Sequence, residues 1–115
     1  MKIVPIKWIA TVDEDAIEEA MEEATVDCND ESEQCTGLTT MAGESLAFPF
    51  PANVMGETVE VVDSTVSQHD SLGFDLVVQH KKKYYAIAAH CVELLKPLPV
   101  GHEYLAAYLQ WRSRF

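Results

Sequence analysis

Eleven carboxylates fall between residues 13 and 33, and no Lys or Arg falls among them. They are Asp13, Glu14, Asp15, Glu18, Glu19, Glu22, Glu23, Asp27, Asp30, Glu31 and Glu33. A segment so charged has to face water or cations. The rest of the chain carries eight acids and eight bases, so the whole formal net charge of −11 resides in these 21 residues. Such a field repels phosphate backbones and anionic lipid and draws in cations or a basic partner. Nucleic acid and membrane are therefore excluded as expected ligands.

The remaining composition describes an ordinary small domain. At 115 residues, 48% of them hydrophobic, the chain can bury one modest core and is expected to fold as a single domain over 1–115 and to act as a monomer. No apolar run approaches the ~20 residues that a membrane span needs. The first sixteen residues lack the long apolar region and small-residue cleavage site of a signal peptide, which makes the cytoplasm the expected location. The three cysteines, Cys28, Cys35 and Cys91, cannot all pair within one chain, and the count suits reduced thiols.

Residues 11–25 read as an acidic helix. Thr11 and Glu14 have capping-box spacing, and Ile17, Ala20, Met21 and Ala24 recur at helical intervals as a narrow apolar stripe. The glutamates off that stripe read most simply as a solvated face. Residues 26–45 show no clear period and are rich in turn formers, so a loop with at most a short helical turn is expected. Pro49 and Pro51 force extended geometry on 46–54 and set Phe48 and Phe50 on one side. Short runs at 57–63, 74–79, 83–89 and 91–95 are rich in β-branched and aromatic residues, as strands are. Hairpin-linked strands over 46–96 suit a small SH3-like antiparallel β-barrel. A short helix over 102–113 should turn Leu105, Ala106, Leu109 and Trp111 inward. The expected fold class is α+β: acidic helix, acidic loop, barrel, C-terminal helix.

Catalysis finds no support in these residues. Zn2+ prefers closely spaced Cys and His ligands, whereas Cys28 and Cys35 stand seven positions apart and His69, His80, His90 and His102 are scattered. Carboxylates around Cys28 and Cys35 disfavour the thiolate that a nucleophile needs. No glycine-rich phosphate loop or recognisable nucleophile motif is present. The expectation is a protein that is not an enzyme.

Hard cations remain. Ca2+ takes 6–8 oxygen ligands in a flexible shell, and `DCNDESE` offers Asp27, Asn29, Asp30, Glu31 and Glu33 within seven residues. The stretch is not an EF-hand: counting from Asp27, Ser32 stands where Gly is needed and Leu38 where the bidentate Glu belongs. Residue chemistry alone leaves a Ca2+ site and a merely solvated acidic loop level.

The stretch `EEATVDCNDESEQCTGL`, followed by `GESLAFPFPANV`, a β module and a helix with `YLQW`, resembles the small cyanobacterial and bacterial calcium-binding proteins of the CcbP type. The resemblance covers most of the chain and is tightest from Val26 to Ala52. It departs where Gly37-Leu38 and `TTMA` replace Gly-Trp and aromatics, and where Asn29 replaces a Tyr. It implies a protein that sequesters or senses Ca2+ in the cytoplasm. By position it implies Asp27, Asp30, Glu31, Glu33 and Glu44 as metal ligands. Glu22 and Glu23, at the end of the acidic helix, are separate candidates for a second, weaker site. The rival expectation is an acidic SH3-like interaction module that binds a basic partner. Lys81–Lys83 read as a solvated hairpin tip.

Overall fold

The structure, a computed structural model, describes residues 7–115. Residues 1–6, which begin the stretch read for a signal peptide, lie outside the described residues. A 3-10 turn, Lys7–Thr11, leads into α1 (Glu14–Ala24) and α2 (Glu31–Ser45). The strands β1 (Phe50–Val54), β2 (Glu57–Val66), β3 (Phe74–His80) and β4 (Lys83–Ala88) follow, then a 3-10 turn at Ala89–Cys91 and β5 (Glu93–Leu94). The last element is α3 (His102–Arg112). Among the described residues no helix is long and apolar enough to cross a membrane.

The α+β class and the C-terminal helix agree with the sequence reading, whereas the barrel does not. The sheet is open, ordered β4-β3-β2-β1-β5, with every neighbouring pair antiparallel. β5 contributes only two residues, pairing Leu94 and Glu93 with Ala52 and Asn53, which is too little strand to carry the sheet round to β4. The apolar face is covered by helix instead: Phe74 of β3 meets Tyr108 of α3 edge-on at 5.5 Å. The Tyr108 hydroxyl donates to the Leu72 carbonyl at 2.7 Å. Residues 89–91, expected at the meeting of two strands, form the 3-10 turn, which leaves His90 and Cys91 exposed.

The second correction is α2. Residues 31–45, expected as loop, form fifteen residues of helix. Cys35, Leu38, Thr39 and Ala42 are its buried face, spaced three and four apart as a helix requires. Only one of those four, Leu38, is a large apolar residue. Thr39 satisfies its hydroxyl by donating to the Cys35 carbonyl at 2.9 Å. Gly37, a poor helix former in isolation, is required by packing: a Cβ there would run into the Ala24 carbonyl oxygen at the end of α1.

α3 is the centre of the molecule. Leu105, Ala106, Leu109 and Trp111 are buried as expected, together with Ala107 and Tyr108. α1 and α2 both lie against it, and Ile17, Leu38 and Leu105 are almost wholly buried. Each such aliphatic side chain removed from water contributes roughly 1.5–3 kcal/mol. The two-proline segment leads into β1: Phe50 is buried and stacks on half-buried Phe48 with ring centres 5.7 Å apart. Pro51 pairs with Glu60 of β2 beyond the reach of short β5, so its missing N–H costs no ladder bond on that side.

Candidate metal-binding segment

The acidic run divides between α1, α2 and a six-residue connection, 25–30. Asp13, not Thr11, is the N-cap of α1, and its carboxylate accepts from the Asp15 N–H at 3.1 Å. Thr11 is already committed, since its hydroxyl donates to the Trp8 carbonyl at 2.7 Å and closes the preceding turn. Glu14 and Asp15 then occupy the first turn of α1, where the positive end of the helix dipole favours them. The other end of α1 is different. Glu22 and Glu23 lie in or beside its last turn, Asp27 follows, and the turn itself holds no basic residue. Carboxylates at a helix C-terminus meet the negative end of its dipole, so this end attracts cations.

The connection turns sharply. Asp27 adopts the left-handed conformation, φ 61°, which Asp tolerates better than most residues. The Cys28 N–H donates to the Thr25 carbonyl at 3.1 Å. Asp30 is the N-cap of α2, its Oδ1 accepting from the Glu33 N–H at 2.8 Å. Glu33 reaches back to accept the Asn29 N–H on Oε2 at 2.9 Å. This reciprocal pair is a capping-box arrangement shifted by one residue. Two of the candidate ligands thus already have work to do in starting a helix. Each carboxylate uses only one of its oxygens for these bonds among the described residues.

Asp27, Asp30, Glu31 and Glu33 are all exposed around this one turn. Among the described residues, no three His, Cys, Asp or Glu side chains converge closely enough to hold a metal ion as they stand. The donor chemistry suits Ca2+: hard oxygens, several charges and a loop that can adjust its shape. Glu44 is set apart. It lies on the same helix thirteen residues beyond Glu31, which at ~1.5 Å per residue is about 20 Å along the axis. A single ion cannot be shared across that span.

Glu22 and Glu23 also part company. Glu23 accepts the Tyr104 hydroxyl at 2.8 Å, in a groove between α1 and α3 shared with Glu19 and Glu103. That hydrogen bond, with the neighbouring carboxylates, raises the Tyr104 hydroxyl pKa. Glu22 lines a separate groove with Glu14, Glu18, Gln110 and Arg114. Adjacent residues on a helix point about 100° apart, which sets the two in different grooves.

The sequence reading passed over the residues that hold the connection in place. Trp111 Nε1 donates to Gln34 Oε1 at 2.9 Å, tying the first turn of α2 to α3. Next to it, Arg112 forms an ion pair with Asp70 at 2.9 Å, holding α3 to the 67–73 connection between β2 and β3. The guanidinium keeps Asp70 below the usual carboxylate range. Long-range pairs such as 34 with 111 leave no mark in local periodicity. All three cysteines are free. Burial is the main reason that the Cys35 thiol pKa is raised, with Asp70 second, so the nearby acidic cluster is not the cause.

No protein-family model matches the sequence, and no curated protein matches it. Solved structures do match. The crystal structure of Anabaena CcbP superposes with a TM-score of 0.69 at 21% identity, covering 98% of this chain and 96% of that one. A calcium-binding protein in its calcium-binding form superposes with a TM-score of 0.67 at 22% identity, covering 88% of this chain and 92% of that one. The helix pair, the open five-stranded sheet and the closing helix described above are the fold of Anabaena CcbP.

Proposed function

We propose that the protein binds Ca2+ at the connection between α1 and α2 and acts in the cytoplasm to sequester or sense it. The supporting observation is where the uncompensated charge lands. On a fold shared with proteins named for calcium binding, the carboxylates Asp27, Asp30, Glu31 and Glu33 surround one turn that contains no base. That turn joins the negative end of α1 to the first turn of α2. Bound there, Ca2+ would supply two positive charges to a cluster of carboxylates that otherwise repel one another. Asp27, Asp30, Glu31 and Glu33 would hold it through carboxylate oxygens. Glu44 is not part of this set, because the length of α2 separates it. The role is binding rather than catalysis.

Calorimetric titration of the full chain with Ca2+, at physiological salt and with excess Mg2+, tests the reading. A saturable heat that survives Mg2+ is the expected result. No saturable heat, or its complete loss to Mg2+, would sink the reading.

A further inference from the structure

The only basic cluster in the sequence, Lys81–Lys83, lies at the turn between β3 and β4. His80 pairs with Lys83, so Lys81 and Lys82 form a two-residue turn, with φ of 51° and 68°. Such turns demand positive φ at both central positions and favour Asn and Gly there. Two lysines are a costly choice: each sits in the left-handed region, and like charges lie side by side.

β4 then leaves the tip as the edge of the sheet, paired with β3 alone among the described residues. Its first four residues, Lys83, Tyr84, Tyr85 and Ala86, are exposed. Tyr85 stands opposite buried Val78 on the core face and is still 46% exposed, while Tyr84, opposite Gln79 on the other face, is 63% exposed. An edge strand presents a row of unpaired backbone groups, and proteins commonly guard such edges by placing charges along them. Here the lysines end at position 83, and Tyr84–Ala88 carries no charge. Among the described residues the edge is open, with an aromatic ring over each face.

We propose that the edge of β4 receives an extended peptide as a sixth antiparallel strand, and that the peptide is acidic at its C-terminal end. In antiparallel addition the end of the incoming strand lies beside the start of β4, where Lys81–Lys83 meet its carboxylates. The backbone ladder supplies the generic affinity, and the side chains on alternate faces supply the selectivity. Tyr84 and Tyr85 offer rigid apolar surface to the two faces of the added strand.

The net charge of −11 does not oppose this. The first turn of α2 is tied through Trp111 and Arg112 to the 67–73 connection, at the far end of β3 from the lysine turn. Seven residues of strand span about 23 Å at ~3.3 Å each. That is nearly three Debye lengths of about 8 Å at physiological salt, so the acidic end is screened from the tip. Two carboxylates of β2 lie near the tip: Glu57 is held by His80 at 2.9 Å, and Glu60 stands opposite Gln79, with β3 and β4 between it and the incoming peptide.

The test uses the full chain in EGTA, so that its outcome is independent of Ca2+ binding. The probe is an end-blocked, fluorescent peptide of five alternating threonine and valine residues followed by three glutamates. Saturable anisotropy at sub-millimolar peptide is expected, with backbone-amide NMR shifts confined to Lys81–Ala88. Moving the glutamates to the front of the peptide should weaken binding several-fold. Replacing Lys81, Lys82 and Lys83 together by Glu should weaken it at least about tenfold. Should that variant lose the parent circular dichroism spectrum, the single Lys83→Gln chain gives a smaller loss in the same direction. No saturation by about 1 mM peptide would overturn the proposal, as would shifts centred on the acidic connection. Binding of phosphatidylserine vesicles but not peptide would overturn it in favour of a membrane. Concentration-dependent dimerisation that blocks the peptide would overturn it in favour of a second copy.

Discussion

The molecule has two tight, highly charged turns, and they treat their charge in opposite ways. At 25–30 the acidic connection includes a left-handed residue, Asp27, and commits the Asp30 carboxylate, with that of Glu33 in the first turn of α2, to backbone donors. The connection is also pressed between α1, α2 and the Gln34–Trp111 bond. At 81–82 the basic turn has two left-handed residues and, among the described residues, no hydrogen bond ties it beyond its own hairpin. Similar crowding of like charge thus has a structural role in one turn and is left free in the other. The acidic end is where packing and proposed ligation compete for the same atoms.

Gly37 offers the strongest way to separate the two turns. A Cβ at this position meets the Ala24 carbonyl, a backbone atom that can move only if the helices part. Gly37→Ala should cost about 2–3 kcal/mol in urea unfolding, the usual scale of overpacking at a rigid contact. Ca2+ heats should fall with it, while amide shifts at Lys81–Lys83 stay where they are. A chain that loses stability but keeps full Ca2+ binding would show that the α1–α2 contact does not shape the acidic turn.

The next test separates capping from ligation at Asp30. Asn caps a helix about as well as Asp, whereas Ala does not. Asp30→Ala should lose about 1 kcal/mol of stability and Asp30→Asn less than about 0.5 kcal/mol. Both should weaken Ca2+ about tenfold, because both remove a charged ligand. If Asp30→Asn binds Ca2+ like the parent, Asp30 is a cap alone, and the contrast between the turns loses half its content.

How much of this was legible in the sequence follows from which interactions are local. α1 and α3 announce themselves through Ile17, Ala20 and Ala24 and through Leu105, Ala106 and Leu109, since a stripe at helical spacing is a local property. The strands at 57, 74 and 83 begin where their β-branched and aromatic runs begin. α2 was hidden because its buried face, Cys35, Leu38, Thr39 and Ala42, holds a single large apolar side chain, too narrow a stripe to stand out among turn formers. One signal was nonetheless present: Asp30 and Glu33 have N-cap and N3 spacing, and reading them only as ligands concealed the start of a helix. Whether the sheet closes depends on the length of β5 and on α3 covering the face, neither of which is written in any one segment. For the candidate site, the clustering of Asp27, Asp30, Glu31 and Glu33 was readable from their separation. The exclusion of Glu44 required α2, which carries no clear period in the sequence, and the divergence of Glu22 from Glu23 required the grooves that α1 makes with α3 and the C-terminal residues.

The smallest expected effect compares the backbone of the two turns directly. Lys82 at φ 68° holds a conformation that costs a side-chain-bearing residue about 1 kcal/mol and glycine almost nothing. Part of that gain is returned because glycine loosens the unfolded chain, so Lys82→Gly should stabilise by about 0.5 kcal/mol. For a domain this size the shift is a rise of roughly 2–3 °C in melting temperature. Asp27 at φ 61° is left-handed too, but Asp tolerates that region, so Asp27→Gly should leave the melting temperature nearly unchanged while weakening Ca2+. Equal gains at both positions would mean that Asp27 is as strained as Lys82. The acidic turn would then be, like the basic one, a place where the fold accepts strain to present charge.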